Sequence, residues 1–273
     1  MKLDIPNLQK TARRIRRDIV EMVWRAGSGH IGGSLSMVEI VLVLYHCIMK
    51  VDPQRPDSED RDRLVLSKGH SAACLYAVLA EMGFFDRKLL FEEFIRTHGR
   101  LSEHPDMQAV PGVEMSTGSL GQGISAAVGM AWAARHQRKP VKVYAIMGCG
   151  EQQEGQVWEA AMAAAHHRLD NLVAIVDFNN AQVSGNTSDV MNPQPLPEKY
   201  RAFGWDVDEV DGHDIGGLAQ MLQKANPAEK PRVIIAKTVK GKGVSFMEGD
   251  FHFHATSLTR EQYEQALIDT GSE

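Results

Sequence analysis

Short apolar runs alternate with helical periodicity across the second half of this chain, and that alternation constrains the fold more than any other feature. Residues 141–148 (VKVYAIMG), 171–179 (NLVAIVDFN), 205–212 (WDVDEVDG) and 231–239 (PRVIIAKTV) each read as a short strand. An Ala-rich helical stretch at 124–135 precedes the first strand, and VWEAAMAAAHH (157–167) follows it. A connection carrying Pro193, Pro195 and Pro197 leads to a short helix, and Asp214 is placed to cap another that runs through Leu222. Strand–helix alternation predicts an α/β fold, a doubly wound parallel sheet with helices on both faces. In such sheets ligands collect beyond the carboxyl ends of the strands.

The first hundred residues read as helices broken by polar, Gly-rich loops. Helical stretches are expected at 7–24, 37–49, 71–82 and 88–95, with loops at SGHIGGS (28–34), SKGH (67–70) and SEHPD (102–106). The chain has 273 residues and a formal net charge of −5, so it shows no electrostatic footprint for nucleic acid or an anionic membrane. Its one basic cluster, Arg13, Arg14, Arg16 and Arg17, reads as a solvated helix face. The three cysteines, Cys47, Cys74 and Cys149, are sparse and lack metal or redox spacing, which suits a reducing, cytoplasmic setting. No stretch approaches the length of a membrane span.

The most informative segment runs from Gly148 to Asn180. A strand ends in Gly148-Cys149-Gly150, Glu154-Gly155 opens a helix, and a second strand ends at Asn179-Asn180. One crossover would set the two strand ends side by side, where glycines let backbone approach a diphosphate and a helix N-terminus offers free N–H groups. A dinucleotide fingerprint is excluded because Gln153 stands where its third glycine belongs, and KGKG (240–243) lacks P-loop spacing.

This segment resembles the thiamine diphosphate fingerprint, Gly-Asp-Gly followed some way on by Asn. The resemblance implies a divalent cation, magnesium or calcium, held by Cys149, Asn179 and the Ala181 carbonyl. Four further stretches resemble the transketolase family: SGHIGGSLSMVEIVLVLY (28–45), DRLVLSKGHSAACLYAVLAEMGFF (62–85), GVEMSTGSLGQGISAAVGMA (112–131) and KTVKGKGVSFMEGDFHFH (237–254). The resemblance places His30 at the substrate hydroxyls, His70 at the cofactor diphosphate, Gly118 and Leu120 against the cofactor, and His254 at the diphosphate and the reaction centre. His104, Gly150 and Glu154 join this set, Glu154 resembling an acid that reaches the partner's cofactor-activating glutamate. Imidazoles suit proton exchange with sugar oxygens near neutral pH.

The implied protein is the diphosphate-binding (N-terminal) subunit of a bacterial split transketolase. Residues 1–273 would form a single diphosphate-binding domain, with the pyrimidine-binding and C-terminal domains on a partner chain in an α2β2 assembly. The implied reaction moves a two-carbon ketol unit between sugar phosphates, and only with that partner. The alternatives are the α subunit of a 2-oxo acid dehydrogenase and a non-catalytic regulatory subunit. One departure stands out: Cys149 occupies the position of the family's Asp, and magnesium and calcium prefer hard oxygen ligands. Three outcomes are open: water or Glu151 fills the position at lower affinity, a softer divalent metal is used, or the cofactor is bound weakly or without metal. Retained but weakened magnesium or calcium binding is the expectation.

Overall fold

The computed structural model describes residues 3–271. Its strands are β1 (Arg63–Leu66), β2 (Val143–Gly148), β3 (Leu172–Phe178), β4 (Ala181–Gln182), β5 (Gly185–Asn186), β6 (Asp206–Asp211) and β7 (Arg232–Lys237). Five of them form one parallel sheet in the order β1-β2-β3-β7-β6, and β4 pairs with β5 in a small antiparallel hairpin. The four expected strands are all present. The fifth, β1, falls in a region expected to hold only helices and loops; its RLVL run is too short to show an alternation.

The central strands alternate faces, as a sheet covered on both sides must. Tyr144, Ile146, Val173, Ile175, Ile234 and Ala236 join one apolar core, while Val143, Ala145, Met147, Leu172, Ala174, Val176, Val233 and Ile235 join the other. The first core is closed by α1 (Ile5–Ala26), α2 (Ile31–Ser36), α3 (Val38–Val43), α4 (Ala72–Glu81) and α5 (Leu89–Glu93). The second is closed by α6 (Gln122–His136), α7 (Gly155–His166) and, past the short α8 (Thr187–Val190), α9 (Leu196–Ala202). The last two helices, α10 (Ile215–Gln223) and α11 (Arg260–Asp269), return to the first face.

Local chemistry sets the ends. Asp4 accepts from the Asn7 N–H to cap α1, and Gly27 closes it at φ 77°, a left-handed conformation that costs glycine little. Asp214 caps α10 through the Gly216 N–H, as expected. The apolar run at 37–49 is not one regular helix: after Val43 the backbone loosens into a π-type turn over Leu44–Ile48. Residues 31–34, within the stretch read as loop, are helical, in α2. The glycines allow it, because a Cβ on Gly32 would lie 2.6 Å from the Phe253 carbonyl oxygen and 3.0 Å from Lys240 Cγ.

The basic cluster is a solvated face only in part: Arg13 is exposed, but the others are engaged. Arg16 is buried, pairs with Glu39 at 2.7 Å and donates to the Lys242 carbonyl at 2.8 Å. Arg14 pairs with Glu81, and Arg17 donates to the Gly271 carbonyl at 2.9 Å. Among the described residues no helix is long and apolar enough to cross a membrane.

Candidate active site

Four parallel strands end on one side of the sheet, and their ends bring the predicted residues together. Lys68 and His70 follow β1, Cys149 and Gly150 follow β2, Asn179 and Ala181 follow β3, and Lys240 follows β7. With Gly33, Leu120, Glu154 and His254 they line a cavity of about 220 Å³. Gly118 does not line it; a Cβ there would press on the His104 ring at 3.1 Å, so its part is to let that ring approach.

The four histidines singled out in the sequence form one cluster. The His30 ring centroid lies 5.3 Å from those of His70 and His254 and 5.7 Å from that of His104, and His70 lies 5.0 Å from His254. Burial lowers the His30 pKa, although Glu103 beside it, 2.9 Å from His30 Nδ1, pulls the other way. Burial and the neighbouring Lys68 hold His70 well below the ordinary histidine value, and burial with Lys240 lowers His254 to about 3. These three imidazoles are therefore neutral at neutral pH, each with one donor and one acceptor nitrogen. That refines the expectation of rings poised near neutrality: without ligand they are bases, not acids.

Three charged residues that sequence reasoning passed over complete the cavity. Asp177, at the end of β3, is wholly buried and is bonded by the Lys68 ammonium, the Ser36 hydroxyl at 2.6 Å and the Thr238 hydroxyl. Burial pushes the Asp177 carboxyl up, but Lys68 and the two hydroxyls outweigh it and keep its pKa low. Lys240 is 2% exposed, and burial followed by Lys68 lowers its pKa to about 8. Its Nζ lies 3.0 Å from His254 Nδ1, and among the described residues no carboxylate pairs with it. Asp177 is thus matched by Lys68 and Glu151 by neutral donors, whereas the Lys240 ammonium faces the cavity without a carboxylate partner among the described residues. Buried Ser71 Oγ has no partner, and a Cβ on Gly33 would fill the space between Ser71 Oγ (2.9 Å), Lys68 Nζ (3.4 Å) and His70 Nε2 (3.5 Å). This cradle fits an anion with several acceptor oxygens, such as a diphosphate.

Cys149, Asn179 and the Ala181 carbonyl do converge. Cys149 Sγ lies 3.6 Å from Asn179 Oδ1 and 3.7 Å from the Ala181 oxygen, and burial, with Asp177 nearby, pushes its thiol pKa up. Glu151 is not available as a replacement ligand. Its carboxylate accepts from Ser67 Oγ, from the Gly121 N–H at 2.8 Å and from the Gly148 N–H at 3.0 Å. Burial raises its pKa in spite of these bonds. Glu154 is exposed at the start of α7.

His213, in the turn before α10, ties two segments together. Its Nε2 accepts the Val239 N–H at 2.9 Å, so the ring proton sits on Nδ1, 3.1 Å from Glu39 Oε2. Burial raises the Glu39 carboxyl, yet His213 and Arg16 together keep its pKa below the ordinary value.

The family described as "Transketolase, thiamine diphosphate binding domain" matches residues 7–273. The chain belongs to this family. Among its relatives is the 6-deoxy-6-sulfo-D-fructose transketolase subunit SqwG of Clostridium sp. (strain MSTE9), 45% identical over 98% of this chain and 97% of that protein. Another is an apulose-4-phosphate transketolase subunit of Phocaeicola vulgatus, 42% identical over 97% of this chain and 94% of that protein. The transketolase structure from Campylobacter jejuni superposes with a TM-score of 0.88 at 34% identity, covering 99% of this chain and 43% of that one. This transketolase-type chain therefore spans less than half of a single-chain transketolase and nearly all of the subunit-type relatives. The thiamine-diphosphate-binding α/β fold and the transketolase reading are borne out, over both a 2-oxo acid dehydrogenase subunit and a non-catalytic scaffold.

Proposed function

We propose that this chain supplies the diphosphate-binding half of a two-chain transketolase, with the pyrimidine-binding half on a partner, in an α2β2 assembly of the cytoplasm. The observation that carries the proposal is the convergence of His30, His70, His104 and His254 beside a cavity with one unpaired buried ammonium. Lys68, Lys240, His70 and the Gly150 N–H would hold the diphosphate of the cofactor, and Leu120 would pack against it. What thiamine diphosphate contributes when bound is a nucleophilic carbon that accepts a two-carbon ketol unit.

The chain's own residues hold and move protons around that carbon. Neutral His30 accepts a proton from a sugar hydroxyl and returns it as the carbon–carbon bond breaks and re-forms, while His254, whose Nδ1 accepts from the Lys240 ammonium, donates a hydrogen bond to a sugar oxygen from Nε2. Glu103 lies 2.9 Å from His30 Nδ1, and the His104 ring packs edge-on against that of His30. Exposed Glu154 stands ready to meet a carboxyl of the partner chain. Two relatives are named for a sulfonated and a phosphorylated ketose, which supports an anionic ketose as donor and an aldose as acceptor here.

A hard divalent cation does not fit this donor set. The Asn179 and Ala181 oxygens suit magnesium or calcium, but the third group is a neutral thiol and both nearby buried carboxylates are engaged elsewhere.

Mixing this chain with the chain encoded beside it and measuring ketol transfer tests the proposal. Activity is expected only from the mixture, with loss of at least about a hundredfold in His30→Ala and His254→Ala. A substantial transfer rate from the isolated chain, or none from any mixture that binds thiamine diphosphate, refutes it.

A further inference from the structure

We infer that this chain binds a diphosphate without magnesium or calcium: the Cys149 thiol closes the cation position, and the Lys240 ammonium supplies the positive charge. The inference rests on the reading above that the cavity takes a diphosphate.

Geometry closes the position first. The thiol faces Asn179 Oδ1 at 3.6 Å and the Ala181 oxygen at 3.7 Å, and Asn179 Oδ1 also accepts the Ala181 N–H at 3.1 Å. The single S–H proton serves one of these oxygens at a time, and the sulfur stands where a hard cation would want oxygen. Cys149 is 1% exposed, so the sulfur fills that corner and leaves it no solvent. A hard cation asks for six or more oxygens at short range. The two buried carboxylates of the wall are both occupied, Asp177 by Lys68, Ser36 and Thr238, and Glu151 by Ser67 and two backbone N–H groups, while the third, Glu154, is exposed at the start of α7. Among the described residues no group of three His, Cys, Asp or Glu side chains could hold a metal.

Charge points the same way. Lys68 is already matched by Asp177, whereas among the described residues no carboxylate pairs with Lys240, so its ammonium is the buried cation left to meet an anion. An ammonium on a flexible stem donates up to three hydrogen bonds and needs no coordination geometry.

Calorimetric titration of thiamine diphosphate into this chain together with its partner chain, in excess chelator and again with magnesium, tests this. Wild type should change affinity by less than about threefold between the two conditions. Cys149→Asp should bind at least about tenfold more tightly with magnesium than with chelator, and Lys240→Gln should lose about tenfold in both. If chelator abolishes wild-type binding and magnesium or calcium restores it, the inference is overturned. Restoration only by cobalt or zinc, with a thiolate-to-metal absorption band missing from Cys149→Ser, overturns it equally, in favour of a soft metal. If folded wild type and Cys149→Asp both fail to bind with magnesium present, the diphosphate reading itself falls, and this inference with it. The wild-type comparison needs no variant to fold.

Discussion

Replacing Lys240 by Met keeps the length of the side chain and its apolar stem, and removes only the buried ammonium. In the wild type that ammonium is 2% exposed, and its pKa drops from 10.5 to about 8. A displacement of that size costs the cofactor-free folded state about 3 kcal/mol at neutral pH. The hydrogen bond between Lys240 and His254 offsets about 1 kcal/mol of it. Lys240→Met should therefore be more stable than wild type by about 2 kcal/mol, a rise in Tm of roughly 5 °C for a chain of this size. The pH dependence gives the sign. Between pH of about 8 and 10.5 the unfolded lysine keeps a proton that the folded one has lost, so wild-type stability rises with pH across that window. The advantage of the variant should shrink there and vanish above it. Urea unfolding of both proteins, free of cofactor, at pH values of about 7 and about 10 measures the difference; tyrosines titrate in both and cancel. A variant less stable than wild type at neutral pH, or an advantage that does not shrink, refutes the reasoning. Diphosphate affinity should move the opposite way, falling in the more stable protein.

Asp177→Asn leaves the Lys68 ammonium buried with little more than the Gly33 carbonyl at 3.2 Å, and should destabilise the chain by about 3–5 kcal/mol; a loss below about 1 kcal/mol in thermal unfolding would contradict the buried pair. Because the pKa values of His30, His70 and His254 lie below 6.5 in the fold, the unfolded state binds more protons under that pH. The cofactor-free chain should thus lose stability from pH of about 6.5 downward, and histidine NMR should show His254 still neutral at pH of about 5; a protonated His254 at that pH contradicts the burial seen here. Gly69→Ala would set a Cβ 2.7 Å from the Thr117 carbonyl carbon and 2.8 Å from the Gly118 nitrogen, forcing two loops apart. It should cost about 1–3 kcal/mol and weaken diphosphate binding, and unchanged values of both would argue against this packing.

What the sequence disclosed and what it hid divide along a physical line. The four histidines stand out because each lies in a glycine-rich loop or a short polar motif, and the central strands because their apolar runs are long enough to show a period. Strand β1, with four residues, is below that length. Helix α2 was unreadable because glycines normally argue against a helix, whereas here their missing Cβ atoms make room for Lys240 and Phe253. Lys68, Asp177, Lys240 and Arg16 look like ordinary surface charges in a linear sequence. Their meaning comes from pairing across long separations, Lys68 with Asp177 and Arg16 with Glu39, which no local pattern encodes. Glu151 shows the converse: its position beside Cys149 suggested a replacement ligand, but the fold had already committed its oxygens to backbone donors.

The trio of buried Arg16, buried Glu39 and half-buried His213 holds the segment that carries Lys240. Arg16 grips the carbonyl of Lys242, His213 grips the N–H of Val239, and both meet on Glu39. Lys240 is thus moored between two fixed points, so its conformational entropy is lost when the chain folds and not when a ligand arrives. A change at Glu39 would loosen the mooring without touching the cavity, and would weaken an anion's grip through disorder alone.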